Sequence, residues 1–259
     1  MDENEVHGQR EDMKMKNKAL RTVQREWMEN IVNHYVEQNQ DVVFSHPFFF
    51  GIPEAFENQP CIMIVGQEPD DFDPYSRDLD LEKLQRWVID YLMVQLREHG
   101  STADRGLQIN NSPFWRAFRL MRGLDKCVCW NNIDKIHRIG PDRKTQPLSL
   151  QDEEMLNHPY GQDNKSLLQR EIEITRPDSI WMVVGPDRAE DIEISFGLSR
   201  GTLRSCRPRK EQWISEIGKK LKMDIPAYWT YHPAYLNRLG VLSRCVQCIN
   251  EKLDRGESS

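Results

Sequence analysis

Residues 62–75, IMIVGQEPDDFDPY, run apolar for four positions and stop at Gly66, where an amide, Gln67, and a carboxylate, Glu68, follow at once. A short apolar run closed by a turn signal predicts a strand buried on both faces. Three other runs have the same character: 126–130 (KCVCW), 179–184 (SIWMVV) and 227–231 (AYWTY). Each interval between them holds at least one helical pattern. That alternation predicts βαβ units with right-handed crossovers, hence an α/β fold of three layers, α/β/α, around a central four-stranded, mostly parallel sheet.

The helices outside those runs are punctuated. Leu20, Val23, Trp27, Ile31 and Tyr35 recur at spacings of three and four, a helix stripe over 19–38. Leu81 to about Glu98 is amphipathic and meets Gly100, a natural stop. Ser112-Pro113 sets a capping hydroxyl before a proline, and Phe114, Phe118 and Met121 follow at helical spacing as far as Gly123. Asn164 is expected to open a helix that ends before Pro177. Trp213, Ile214, Ile217 and Leu221 predict another, and Val241, Cys245, Ile249 and Leu253 a terminal one. Residues 1–18 are polar and charged and are expected to be frayed, leaving 19–259 as a single domain.

Composition narrows the function classes. The formal charge is −6, from 41 acids and 35 bases, so general attraction to polyanions is not expected and any nucleic-acid contact must be local. No run approaches 18 apolar residues and the N-terminus carries no apolar signal core, which predicts a cytoplasmic protein with no membrane partner. A monomer is expected. The six cysteines lie in or beside apolar runs or on a helix face, so they are read as core packing; no metal or other cofactor is expected. Neither GxGxxG nor GxxxxGK[ST] occurs, which weighs against the usual phosphate cradles of nucleotide enzymes.

In open parallel sheets the working groups collect beyond the carboxyl ends of the strands. The polar residues in that position are Gln67-Glu68, Asn131-Asn132, Asp187-Arg188 and His232, and these four loops are expected to share one rim. A carboxylate, an amide and a histidine in one cleft can do acid, base and oxyanion work.

Taken in order, GQEPDD (66–71), WNNIDKI (130–136) and HPAYLNR (232–238) resemble the uracil-DNA glycosylase superfamily. In that family a GQDPYH-type motif follows the first strand, an asparagine the second, and an HPSPLS-type motif the last. NKSLLQREIEITRPDSIWMVVGP (164–186) also resembles the segment feeding its third strand, so the likeness spans roughly 60–240. The resemblance implies a DNA partner and removal of a base after the nucleotide is rotated out of the duplex. The breaking bond gives the sugar cationic character and the departing base negative charge, so a carboxylate and a neutral donor lower the barrier.

By resemblance Glu68 is the carboxylate that orients water, and His232 the donor that steadies the leaving base. Asn131 would read the flipped base, with Asn132 the neighbouring candidate, and Gln67 would serve the pocket floor. Phe114 or Trp115 takes the place of the stacking aromatic, and Leu236 that of the side chain pushed into the vacated stack.

The departures bear on substrate. Glu68 is one methylene longer than the family's aspartate, Asp70 replaces the tyrosine that blocks 5-methyl groups, Asp71 replaces a histidine, and Ala234 a serine. A wider, acid-lined mouth suits a pyrimidine with a large polar 5-substituent, such as a hypermodified cytosine in phage DNA; defence against phage and base-excision repair are both implied roles. For phosphate contacts, residues 200–222 hold eight bases against two acids, a local +6, including Arg204 and Arg207. Arg238, just beyond Leu236, and Lys135 and Arg138, beyond Asn131, are expected on the same rim and are the better-placed phosphate candidates. The alternatives are a catalytically silent DNA-binding relative and an unrelated doubly wound nucleotide-processing enzyme.

Overall fold

All four apolar runs become strands, and a fifth strand joins them at one edge. A computed structural model describes residues 3–53, 61–67, 72–97, 108–124 and 126–254. The chain begins with α1 (Glu3–Trp27), a single π turn (Met28–Val32) and α2 (Asn33–Gln38). Strand β1 (Cys61–Gly66) is followed by α3 (Leu81–Gln95) and α4 (Pro113–Arg122), then by β2 (Cys127–Asn132). A two-stranded ribbon, β3 (Arg138–Ile139) and β4 (Thr145–Gln146), precedes α5 (Leu150–Leu156) and α6 (Leu167–Thr175). Next come β5 (Ser179–Met182), α7 (Ala189–Ser195), β6 (Ile214–Glu216) and β7 (Ala227–Thr230). The described chain closes with α8 (Pro233–Arg238) and α9 (Leu242–Asp254).

The sheet order is β2-β1-β5-β7-β6, with β1, β2, β5 and β7 parallel and β6 antiparallel to β7. The sheet therefore has five strands rather than the expected four. The fifth arises where a helix is expected over 213–221. Its apolar spacing reads as helical, but Ile214–Glu216 pair with Tyr228–Thr230, and Ile217 N donates to Ala227 O at 2.8 Å. The backbone groups are thus satisfied across the sheet, not along a helix.

Alternation on β2 sends side chains to opposite layers. The Trp130 ring packs 4.8 Å from Trp115 on α4, whereas Asn131 Nδ2 donates to Glu171 on α6 at 3.0 Å. Helices cover both faces, consistent with a three-layer α/β/α arrangement.

Helix α1 reaches back to Glu3, well inside the segment expected to be frayed. Asn17 explains part of that order: its Nδ2 donates to Ile52 O and its Oδ1 accepts from Ile52 N, both at 2.8 Å. Helix α6 starts at Leu167 rather than at Asn164. Ser166 is its cap, in a reciprocal box with Gln169, which satisfies two otherwise orphan donors. Among the described residues no helix is long and apolar enough to cross a membrane.

Candidate functional site

Beyond the carboxyl ends of β1, β2 and β7 lies a cavity of about 610 Å³. That is within the ordinary size of small-molecule sites, about 300–1,000 Å³. Gln67, Asn132 and His232 all line it, so three of the four expected loops share this rim. The fourth does not contribute a lining residue. Arg188 turns instead to Asp191 at 3.0 Å, Glu153 at 3.4 Å and Asp134 at 3.9 Å, a buried cluster elsewhere in the fold. Burial, reinforced by Asp191 and Asp134, pushes the Glu153 carboxyl up to about 9.

The wall is aromatic. Phe72, Trp87, Tyr91, Phe114, Trp115 and Trp130 line it. Trp87 and Tyr91, four apart on α3, stack at 5.2 Å with 17° between planes. Nothing in the motifs points to these two; their spacing on an amphipathic helix reads as core. Trp115 is the more buried of the α4 pair, held edge-on by Trp130, while Phe114 is half-buried and nearly parallel to the His232 ring, 6.1 Å away at 12°.

His232 caps α8, and its Nδ1 accepts from Ala234 N at 3.2 Å. An accepting Nδ1 carries no proton, so the neutral ring holds its proton on Nε2 as a donor. Burial holds its pKa below the ordinary histidine value, which keeps the ring neutral at pH 7. Gln67 is oriented by its own bond, Nε2 to Val184 O at 2.8 Å.

Asn132, not Asn131, is the amide at the cavity. Trp130 Nε1 donates to Asn132 Oδ1 at 3.1 Å, which fixes the oxygen toward the indole and leaves Nδ2 as the free end. Nδ2 is buried and has no hydrogen-bond partner. Gly66 makes the approach feasible, because a Cβ there would stand 2.5 Å from Asn132 Oδ1. Trp130 therefore positions the amide, a role its place in an apolar run does not signal.

Asn131 points to the other face of the sheet. There it bonds Glu171 as above and receives Lys135 Nζ on Oδ1, while Lys135 pairs with Glu171 Oε2 at 2.6 Å. Gln24 Nε2 completes the network on Glu171 Oε1 at 2.9 Å. Lys135 is 1% exposed, with burial lowering its pKa, so it is a core ion pair and not a phosphate contact.

Two other expected DNA contacts are also corrected. Leu236 is 0% exposed and packs in the core, so it does not protrude; the exposed apolar side chain of that loop is Leu239, at 43%. Arg138 is committed to Asp152 through Nε at 2.6 Å and Nη2 at 3.0 Å. By contrast Arg204, Arg207 and Arg238 are exposed, the last lying over the Tyr235 ring. The register Ile214↔Thr230 brings the chain from Arg207 into β6 at the His232 end of the sheet, whereas Lys219, Lys220 and Lys222 follow β6 toward the other end. The basic segment is thereby split.

Glu68, Asp70 and Asp71 lie outside the described residues, as does Gly100. Compared with protein-family models the sequence matches none, and no curated protein matches it significantly. The functional reading rests on the chemistry of the cavity.

Proposed function

We propose that the chain is a monofunctional DNA glycosylase that takes an everted pyrimidine nucleotide into the aromatic cavity and hydrolyses its N-glycosidic bond. The observation that carries this reading is one cavity at the sheet's carboxyl edge lined by six aromatic residues together with Asn132, whose Nδ2 is an unmatched donor, and His232, whose accepting Nδ1 leaves Nε2 as the donor. A buried donor without a partner costs about 1–3 kcal/mol, and an incoming acceptor relieves that cost. The aromatic wall offers stacking surface for a base taken out of its duplex.

The chemistry then divides among few groups. Phe114 stacks on the base beside His232. Asn132 Nδ2 donates to an acceptor on the base edge, a 4-oxo group or the N3 of a cytosine-type ring. As negative charge builds on the leaving base, the neutral His232 Nε2–H stabilises it, and neutrality matters because the donor keeps its proton throughout. Glu68, immediately after Gln67 in sequence, orients water and faces the sugar cation, as in the family that the motifs resemble.

A cavity of about 610 Å³ is generous for a bare pyrimidine, which favours a 5-substituted or hypermodified base, including those of phage DNA. Arg204, Arg207 and Arg238 would hold phosphates, and Leu239 is the apolar side chain available to fill the vacated stack.

The test is incubation with a panel of genomic DNAs, hypermodified phage DNA and uracil-containing DNA among them, with mass analysis of released bases and alkaline cleavage at abasic sites. Release of a free modified pyrimidine, lost in Glu68→Ala and His232→Ala, is the expected result. Free base from no DNA in the panel would overturn the proposal.

A further inference from the structure

At the opposite end of β1 and β2 from the cavity, three thiols meet. Cys61 opens β1, and Cys127 and Cys129 lie two apart on β2, so all three side chains leave the same face of the sheet. Cys61 Sγ stands 3.1 Å from Cys129 Sγ and 3.4 Å from Cys127 Sγ, and the three sulfurs lie within 4.8 Å of one another. Met63, paired in register with Cys129, adds a thioether on that face, already accepting from Asn131 Nδ2 at 3.7 Å.

We propose that Cys61, Cys127 and Cys129 form a soft-metal site that takes one thiophilic d10 cation, zinc(II) or copper(I), and staples the starts of β1 and β2 together. Thiolates are the ligands such ions favour. Tetrahedral bonds of about 2.3 Å separate sulfurs by about 3.8 Å, so each thiol gives way by only a few tenths of an ångström. Two rigid neighbouring strands supply the preorganisation.

The local electrostatics agree. Cys127 and Cys129 both direct hydrogen bonds that hold the Cys61 thiol well below its ordinary value, while burial raises Cys127 and the bonds to its neighbours raise Cys129. Of the three thiols, Cys61 is the one whose deprotonation its neighbours favour. Lys16 and Arg122 add positive charge nearby; Asp178, whose Oδ2 accepts from Cys61 N at 2.7 Å, opposes them. Binding of a divalent ion releases the remaining thiol protons and leaves a tris-thiolate complex of net −1. Cys61 is partly buried, and Cys127 and Cys129 are buried.

The role is structural, since β1 runs roughly 17 Å from this end to the cavity. The test uses the full chain. Metal content is measured by native mass spectrometry as purified and after titration with zinc(II), with cobalt(II) as a spectroscopic substitute, and with copper(I) against a competing chelator.

The expected result is one equivalent per chain of one of the two ions, a cobalt–thiolate charge-transfer band, and protection of Cys61 from alkylation that a chelator removes. Cys61→Ser with Cys129→Ser should weaken binding at least 100-fold, and Cys206→Ser should leave it unchanged. Less than a tenth of an equivalent of either ion would overturn the proposal, as would a Cys61–Cys129 disulfide in the purified chain or metal binding retained by the double variant. Should the double variant not fold, the wild-type stoichiometry and Cys61 protection decide the matter.

Discussion

Asn131 and Asn132 are neighbours in sequence and opposites in circumstance. Asn131 sits in a buried network on the α6 face of the sheet, in which Lys135 and Glu171 pair and Gln24 Nε2 bonds Glu171, with Gln24 Oε1 left unmatched at its edge. Asn132 opens on the α4 face into a cavity, with its oxygen fixed by Trp130 and its nitrogen unmatched. A buried network whose charges are paired specifies packing, whereas an oriented but unmatched donor beside a hollow marks a place kept for a ligand. The difference separates structural from functional polarity more sharply than residue type does.

The contrast can be broken by substitution. The largest effect on stability is expected on the Asn131 side. Glu171→Ala leaves Lys135 buried without its partner, and should cost about 3–5 kcal/mol in urea unfolding. A loss under about 1 kcal/mol would mean that the network is solvated.

Leu236 and Leu239 sharpen the same distinction in apolar terms. Leu236→Ala should cost about 2–5 kcal/mol, because it opens a core cavity. Leu239→Ala should stay within about 0.5 kcal/mol, yet weaken excision from duplex DNA more than from single strands. Equal destabilisation by the two would place both side chains in the core.

The acidic cluster around Arg188 gives a pH signature. The folded pKa of Glu153, about 9, lies above its unfolded value, so the folded state holds the extra proton. Stability from this group is fully present below the unfolded pKa and is lost as pH rises toward 9. Glu153→Gln should flatten the fall of the unfolding midpoint between pH 5 and pH 9, with Asp134, Asp191 and Arg188 unchanged. An unaltered slope would show that the carboxyl stays ionised in the fold.

The smallest stability effect is expected at Asn132. Asn132→Ala removes the unmatched Nδ2 but also takes the acceptor from Trp130 Nε1–H; the two costs, each about 1–3 kcal/mol, oppose each other, and unfolding should stay close to wild type.

Much of the architecture was legible. The runs at 61–65, 126–130, 179–184 and 227–231 are apolar on both faces, as strands buried between helix layers must be, and all four became strands of one sheet. That same property hides the register. With CVCWNN buried at every position, no alternation shows which asparagine faces the cavity. The fifth strand escaped because three residues paired at an edge leave too short a pattern to outweigh helical spacing over 213–221.

Side-chain commitments set by distant partners were equally hidden. Lys135 meets Glu171 from 36 positions away, and Arg138 reads as a free cation until Asp152 arrives from the next helix. Arg204, Arg207 and Arg238 are exposed. The three cysteines of β1 and β2 illustrate the limit from the other side: Cys61, Cys127 and Cys129 look like ordinary apolar filling until the parallel register sets them against one another.

The most direct measurement is single-turnover release of the excised base by Asn132→Ala and wild type, on the best DNA substrate and at equal folded fraction. With the amide donor gone and the fold intact, the expected rate falls on the order of 100-fold. An unchanged rate, with unfolding also unchanged, would contradict the claim that this cavity and its unmatched donor receive the base.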